Sequence, residues 1–457
     1  MNKYIFTSIY VFLFVFSFVW DGYVFLALVL FLTLLLSLLE KLGKGIVLRE
    51  SIAFFFVFTC LIMPTLGYRV YNEDHHIARL FNRYMQVSDT IYFGYALPAL
   101  LLFTTCLTYP LKAETYDDQG KYLFDLIVKI KNYLHKEKRI GILILAVGII
   151  ELFLSRFMPV SIKFFIDLLF FSAFAGVLMI YFEENRFYKI TILPAFLILL
   201  FLRSLDSSMF TIIAYMSITM ISFFLIENNV GIMRKSAVFI SGCFLMLVLQ
   251  NSKLAYRKVM RQNSNKTAQA SIFIDIVQNQ FLNAENFFQV DEFYQVFIRL
   301  NQGYNVSRVM KWIPNRKDFD KGDRLGKVVM STIIPRFIWP DKPMAGGQEN
   351  VLYYAGWRIQ GWSTNVGPLG EGYGAFGVAG GILFMGLLGI YIRFVYLQVW
   401  KLSVKYPIMI FWLPVLFYQT IYSAETDTLQ ILNSTVKTSF FLWLLSKVQP
   451  RWFGLKG

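Results

Sequence analysis

Apolar stretches long enough to cross a lipid bilayer recur from one end of the chain to the other, and no other feature limits its fold as strongly. The hydrocarbon core of a bilayer is about 30 Å thick, a distance that about 20 helical residues span. Lipid offers the backbone no hydrogen bonds, so a chain crosses it as helix or as closed barrel. These stretches are too long for strands, which leaves helices. Twelve spans are predicted, at 4–20, 23–39, 50–66, 90–108, 140–155, 162–181, 188–202, 208–226, 235–250, 374–393, 406–422 and 428–446. They divide the chain into nine spans with short loops over 1–250, a large exterior segment over 251–373, and three closing spans over 374–457. The first run, Tyr4 to Trp20, reads as an anchor and not as a cleaved signal. It lacks a small-residue cleavage site, and a second run follows after only Asp21 and Gly22. The fold class expected is an all-α polytopic membrane protein.

Charge sets the expected orientation. Lys41, Lys44 and Arg49, then Lys129, Lys136 and Arg139, later Lys401 and Lys405, and finally Lys447 and Arg451 fall in alternate loops. The intervening short loops hold far fewer cations: Arg69, Arg79, Arg83 and Arg203 are among them. Cytoplasmic loops collect Lys and Arg, so both termini are expected inside and the segment 251–373 outside. The same bias accounts for much of the net charge of +15, which therefore does not imply nucleic acid. The exterior segment breaks the bias, with sixteen basic residues against ten acidic ones. Long translocated loops tolerate such charge, and anion binding is the other explanation. Cys60, Cys106 and Cys243 all lie in apolar runs and read as small hydrophobes. Three histidines in the whole chain argue against a histidine-based metal centre. No P-loop, HExxH or GxSxG motif is present, which removes the usual nucleotide-driven pump, zinc peptidase and nucleophile-elbow hydrolase.

Polar residues near the expected bilayer surfaces are the candidates for chemistry. In 286–301 the spacing of Val290, Phe293, Phe297 and Leu300 predicts an amphipathic helix. Three prolines between Pro335 and Pro343 preclude a regular helix there, and Trp339 suits an interfacial anchor. On a helix His75, Arg79 and Arg83 form one basic stripe, which serves either as a snorkelling face or as a grip on a diphosphate. Arg203 and Asp206 are expected to pair in an external turn. Lys437 shares a helical face with Gln430 and Asn433 and must point inward, with Glu425 or Asp427 as potential partners if the packing permits. Tyr422 and Glu425 stand at the exterior mouth of the eleventh span. Glu371 opens the tenth from the same side, among glycines at 370, 372, 374, 377 and 381. A carboxylate at a helix N-terminus is electrostatically favoured, so capping explains Glu371 as well as proton abstraction from a sugar hydroxyl does. Close helix packing is enough to explain the glycines.

The segment Ile334 to Pro343, IPRFIWPDKP, followed by Ser363 to Gly377, STNVGPLGEGYGAFG, resembles the bacterial O-antigen and related oligosaccharide repeat-unit polymerases. The resemblance implies a GT-C-like architecture in the bacterial inner membrane, with a large helical periplasmic loop late in the chain. It also implies extension of a surface polysaccharide, such as O-antigen or capsule, by joining repeat units carried on undecaprenyl diphosphate. On this reading Glu371 is the base for the acceptor hydroxyl, while Arg336 and Arg358 neutralise the departing diphosphate. Arg358 and the glycines after it match loosely an exterior Arg-to-Gly motif of that family. Arg79, Arg83 and Arg308 assist, and Arg69, Arg203, Lys342, Tyr373, Tyr422 and Glu425 complete the surface meeting diphosphate or sugar. No cofactor and no metal are implied. The partners would be donor and acceptor undecaprenyl-diphosphate-linked oligosaccharides, membrane lipids and a chain-length regulator, with no nucleic acid. An O-antigen ligase acting on lipid A core shares the donor but generally uses an exterior histidine. A flippase for lipid-linked sugars should show internal repeats or broken helices in both halves, neither of which is clear in the sequence.

Overall fold

The structure, a computed structural model, describes residues 4–111, 121–154, 157–158, 160–207, 210–226, 230–262, 270–283, 289–336, 338–344, 347–359 and 364–455. Among these residues every regular element is helical, and the one isolated bridge, Leu42 to Gly45, closes a turn. The amino-terminal elements are α1 (Ile5–Phe16), α2 (Tyr23–Lys41) and α3 (Leu48–Val57), which passes through a π-helical turn (Phe58–Ile62) into α4 (Met63–Arg69). The short α5 (His76–Leu80) and the central α6 (Asp89–Thr108) follow. Next come α7 (Lys121–Lys136), α8 (Ile140–Leu154), α9 (Val160–Phe182), α10 (Arg186–Ser207), α11 (Phe210–Leu225) and α12 (Ile232–Gln262). Shorter helices fill the next stretch: α13 (Ala270–Leu282), α14 (Val290–Leu300), α15 (Gly303–Trp312), α16 (Asp323–Ile333) and α17 (Gln348–Ala355). The chain closes with α18 (Gly367–Lys405), a 3-10 turn (Pro407–Trp412), α19 (Leu413–Leu416), α20 (Tyr418–Ser423) and α21 (Thr428–Val448).

Six helices among the described residues are long and apolar enough to cross a bilayer: Tyr23–Lys41, Leu48–Arg69, Asp89–Thr108, Phe164–Phe182, Ile232–Leu249 and Gly367–Lys405. The chain is therefore a multi-pass, membrane-embedded, all-α protein. These six coincide with six of the twelve predicted spans, and two of the others depart for identifiable reasons. The first run forms only the 12-residue α1, about 18 Å of helix. The run 406–422 is not one helix, because Pro407 and Pro414 each start a new segment and divide it into the 3-10 turn, α19 and α20. At the other boundary error, α12 continues to Gln262, well past the predicted end of the ninth span at 250.

The core is built around α6, where Tyr92, Phe93, Tyr95, Leu97 and Phe103 have no exposed surface. It packs on α1, α2 and α3 and runs along α18. Glycines on α18 permit the close approach, with a Cβ added at Gly389 lying 2.7 Å from the Phe103 carbonyl. The helices α14 and α15 fold back onto this bundle. In α14 the residues that pack are Tyr294, Val296 and Phe297, joined to Met63, Tyr71 and Ala78, whereas Val290 of the predicted stripe is exposed. The first residues of the predicted amphipathic stretch, 286–288, lie outside the described residues. In α15, Gly303 to Ser307 are all buried, with Gly303 pressed on Pro64 and the Tyr92 hydroxyl.

Candidate functional site

The site forms where α18 is broken. Gly377 has φ 70° and ψ −161°, a conformation open to glycine and strained for other residues. The break turns α18 into a short arm, 367–376, and a long arm, 378–405, which fold back on each other. A Cβ added at Gly372 would lie 2.8 Å from the Phe384 ring and 3.5 Å from Gly381 Cα. The interruption leaves helical carbonyls without their usual donors, and the loop before α16 supplies them. Asp320 N–H donates to Gly374 O at 3.3 Å and Lys321 N–H to Ala375 O at 2.9 Å. Tyr354, whose hydroxyl donates to Asp320 Oδ2 at 3.2 Å, lies flat enough on Gly374 that a Cβ there would come within 2.5 Å of its ring.

Glu371 sits in the middle of the short arm with 1% exposure. The sequence places it at the exterior opening of a span beginning near 374. The structure instead starts the helix at Gly367, so this carboxylate is inside the fold and not at a solvated N-terminus. Asn350 Nδ2 on α17 donates to Glu371 Oε1 at 3.0 Å, and Arg324 Nε on α16 donates to Asn350 Oδ1 at 2.8 Å. Arg324 also pairs with Glu349 at 3.4 Å and lies 4.7 Å over the Tyr353 ring. The second carboxylate oxygen, Oε2, is buried without a hydrogen-bond partner. Asp427 and Thr428 lie alongside it at the start of α21, where Asp427 caps the helix by accepting from Gln430 N–H at 3.3 Å. Glu425 is buried as well, and Gly367 packs on its backbone oxygen. Burial pushes the Glu425 carboxyl up to about 7.

A second group lies on α15. Arg308 Cζ is 4.4 Å and Arg83 Cζ 5.8 Å from the centre of the Trp357 ring, and both are 5.9 Å from that of Tyr304. Arg308 Nη1 donates to the Tyr304 hydroxyl at 3.1 Å, which in turn donates to Asn82 O at 3.1 Å. Arg308 Nε is buried with no partner. Lys311, one turn on, donates to Gln86 Oε1 at 3.0 Å, and the exposed Arg358 follows Trp357 directly. Two arginines far apart in sequence thus meet on a shared aromatic surface, an arrangement suited to anions and to the flat faces of sugars.

The remaining candidates are dispersed. Arg336 is exposed on the loop after α16, near Lys342 and Lys437. No hydrogen bond or ion pair among the described residues links Arg336, Arg358 and Glu371. Arg69 ends α4 and Arg79 lies on α5, both exposed. Tyr373 is a core residue between Tyr95 and Phe319, with ring centres 5.1 and 5.8 Å away. Arg203 and Asp206 are not in a turn, since α10 continues to Ser207, and their side chains lie outside the described residues, as does that of Tyr422 on α20. Lys437 lies 5.3 Å over the Phe164 ring, with cations and not Glu425 or Asp427 as its electrostatic neighbours. His75, His76 and Asp291 bring three ligand-type atoms within 4.8 Å of one another. His75 Nδ1, however, accepts from Ala78 N–H at 3.4 Å, which leaves the ring proton on the Nε2 that faces Asp291 at 3.4 Å. That describes a clasp between α5 and α14. Arg324, Asn350, Tyr304 and Trp357 were not singled out by sequence.

Residues 119–422, two thirds of the chain, match a domain of unknown function, DUF8712. The chain belongs to the DUF8712 family. The DUF8712 region carries the short arm of α18, Glu371, Asn350, Arg324, Arg308, Trp357 and Arg358, whereas Arg83, Asp427 and Lys437 lie beyond its limits. No curated protein and no solved structure matches the chain.

Proposed function

We propose that this protein is a membrane glycosyltransferase that joins undecaprenyl-diphosphate-linked oligosaccharide repeat units into a surface polysaccharide at the exterior face, its termini lying in the cytoplasm of a bacterial cell. The observation that carries this reading is the meeting of Arg83 and Arg308 on Trp357 and Tyr304, next to Arg358. Guanidiniums neutralise a departing diphosphate, and the half-buried Trp357 ring offers an aromatic face to the sugar attached to it. In this reaction the acceptor hydroxyl loses its proton to Glu371 and bonds to the anomeric carbon. The bond from that carbon to the diphosphate oxygen breaks, and the arginines hold the leaving group. The unpartnered Oε2 of Glu371 is the oxygen able to take the proton. GT-C-like architecture and the additional spans needed for a twelve-helix topology belong to the same proposal.

The test is reconstitution of purified protein in vesicles with lipid-linked repeat units. Wild type should lengthen the glycan, and Arg308→Ala and Glu371→Gln should each reduce turnover by about 10²-fold or more. Wild-type chain lengths from both variants would remove the assignment. A second reading, a transporter, is favoured by the break in α18 and the segmented stretch 407–423, discontinuous helices of the kind that transporters carry. Movement of lipid-linked units across the vesicle membrane without chain growth would select a flippase. Transfer only to lipid A core would select a ligase.

A further inference from the structure

Cations from two elements gather beside the C-terminal end of α16. Arg336 and Lys342 lie on the loop that follows it, and Lys437 lies on α21, which packs against α16. Lys342 Nζ donates to the carbonyls of Ser331 and Ile334, both at 2.6 Å, and is thereby held at the helix end. Arg336 Nη1 donates to Pro340 O at 3.2 Å and is otherwise exposed. Lys437, half-buried, is within electrostatic reach of both. Burial and then the Arg336 charge hold the Lys342 amine below its ordinary value. Among the described residues none of the three forms an ion pair, Asp341 on the same loop included. Like charges gathered without a counter-charge repel, and an anion among them relieves the repulsion. The surroundings are apolar. Met330, Ile333, Ile338, Val436 and Phe440 are all exposed, and an open cleft runs along α16 between Met330 and Trp339.

We infer that Arg336, Lys342 and Lys437 bind the phosphate headgroup of a membrane lipid whose chains lie on the apolar surface beside them. A soluble anion would satisfy the charges and leave the hydrophobic rim in water, whereas a phosphorylated amphiphile matches both. The inference holds whether the protein transfers, ligates or moves its glycan, and its test reads binding and not turnover.

Full-length protein in neutral detergent is titrated with short-chain phosphatidic acid, the matching diacylglycerol and inorganic phosphate, with bound species counted by native mass spectrometry. Phosphatidic acid should bind saturably and far more tightly than the other two. The double variant Arg336→Gln/Lys437→Gln should weaken it about tenfold or more. Lys437→Arg should retain it, and Lys131→Gln, which breaks the pair with Glu184 at α7, should leave it unchanged. Equal binding of diacylglycerol, equal binding of inorganic phosphate, or wild-type affinity in the double variant overturns the inference. Should the double variant fail to fold, the salt dependence of wild-type binding decides: affinity falling with ionic strength supports the site, and affinity indifferent to it overturns the site.

Discussion

Individual residues at the broken helix are held by contacts that leave little tolerance. Asn350 links Glu371 Oε1 to Arg324, so Asn350→Ala leaves a buried carboxylate oxygen without its donor. A loss of about 1–3 kcal/mol is expected, measurable as a lowered thermal unfolding midpoint in detergent. Glu425 sets a pH dependence. The fold raises its carboxyl to about 7 through burial, against about 4.3 for a free glutamate, so the folded chain favours the neutral form. Its contribution to stability is complete below about 4.3 and is lost as the pH rises through about 7. Unfolding midpoints should fall as the pH rises from about 4.3 to about 7 in wild type, and Glu425→Gln should flatten that decline. An unchanged slope in the variant would assign it to other groups. At this scale the sequence pointed to Glu371 through its glycine-rich setting. It could not show that the carboxylate is buried, because burial depends on a reversal that only the positive φ of Gly377 allows. Arg324 escaped notice because an arginine one residue into a short polar helix looks like any solvated one.

Among the elements, α6 and α18 form the pair on which the rest is assembled. Their separation is set by the absence of side chains at Gly386 and Gly389, where an added Cβ would meet the Leu102 side chain at 2.8 Å and the Phe103 carbonyl at 2.7 Å. A backbone carbonyl cannot swing aside as a side-chain tip can. Gly389→Leu should therefore cost about 1–3 kcal/mol or more, whereas Leu387→Ala, on the exposed face of the same helix, should change stability little. Comparison of the two midpoints checks the point. Long apolar helices were legible because their length and composition alone select a bilayer. The segmented stretch 407–423 was not, because a hydropathy window averages over Pro407 and Pro414 and reads three short pieces as one span. Likewise the pairing of Arg83 with Arg308 depends on how α14 and α15 dock on α4, which no local pattern in either segment encodes.

For the molecule as a whole, the short helices between α13 and α18 sit on a membrane bundle, tied by the clasp of Asp291 to His75 and by the donors that Asp320 and Lys321 extend to α18. Under the orientation predicted from charge, a single cysteine at Lys321 in a background lacking Cys60, Cys106 and Cys243 should react with an impermeant maleimide in intact cells. One at Lys447 should react only after the membrane is opened. The reverse pattern would invert the orientation. Apolar length conveyed the class of the molecule, while its internal geometry depended on breaks that composition hides. The fold-back at Gly377 bears on any sidedness map of this chain. Because the chain reverses direction at Gly377, the short arm is expected to add no traversal of its own, and tags on its two flanks should then report one and the same compartment.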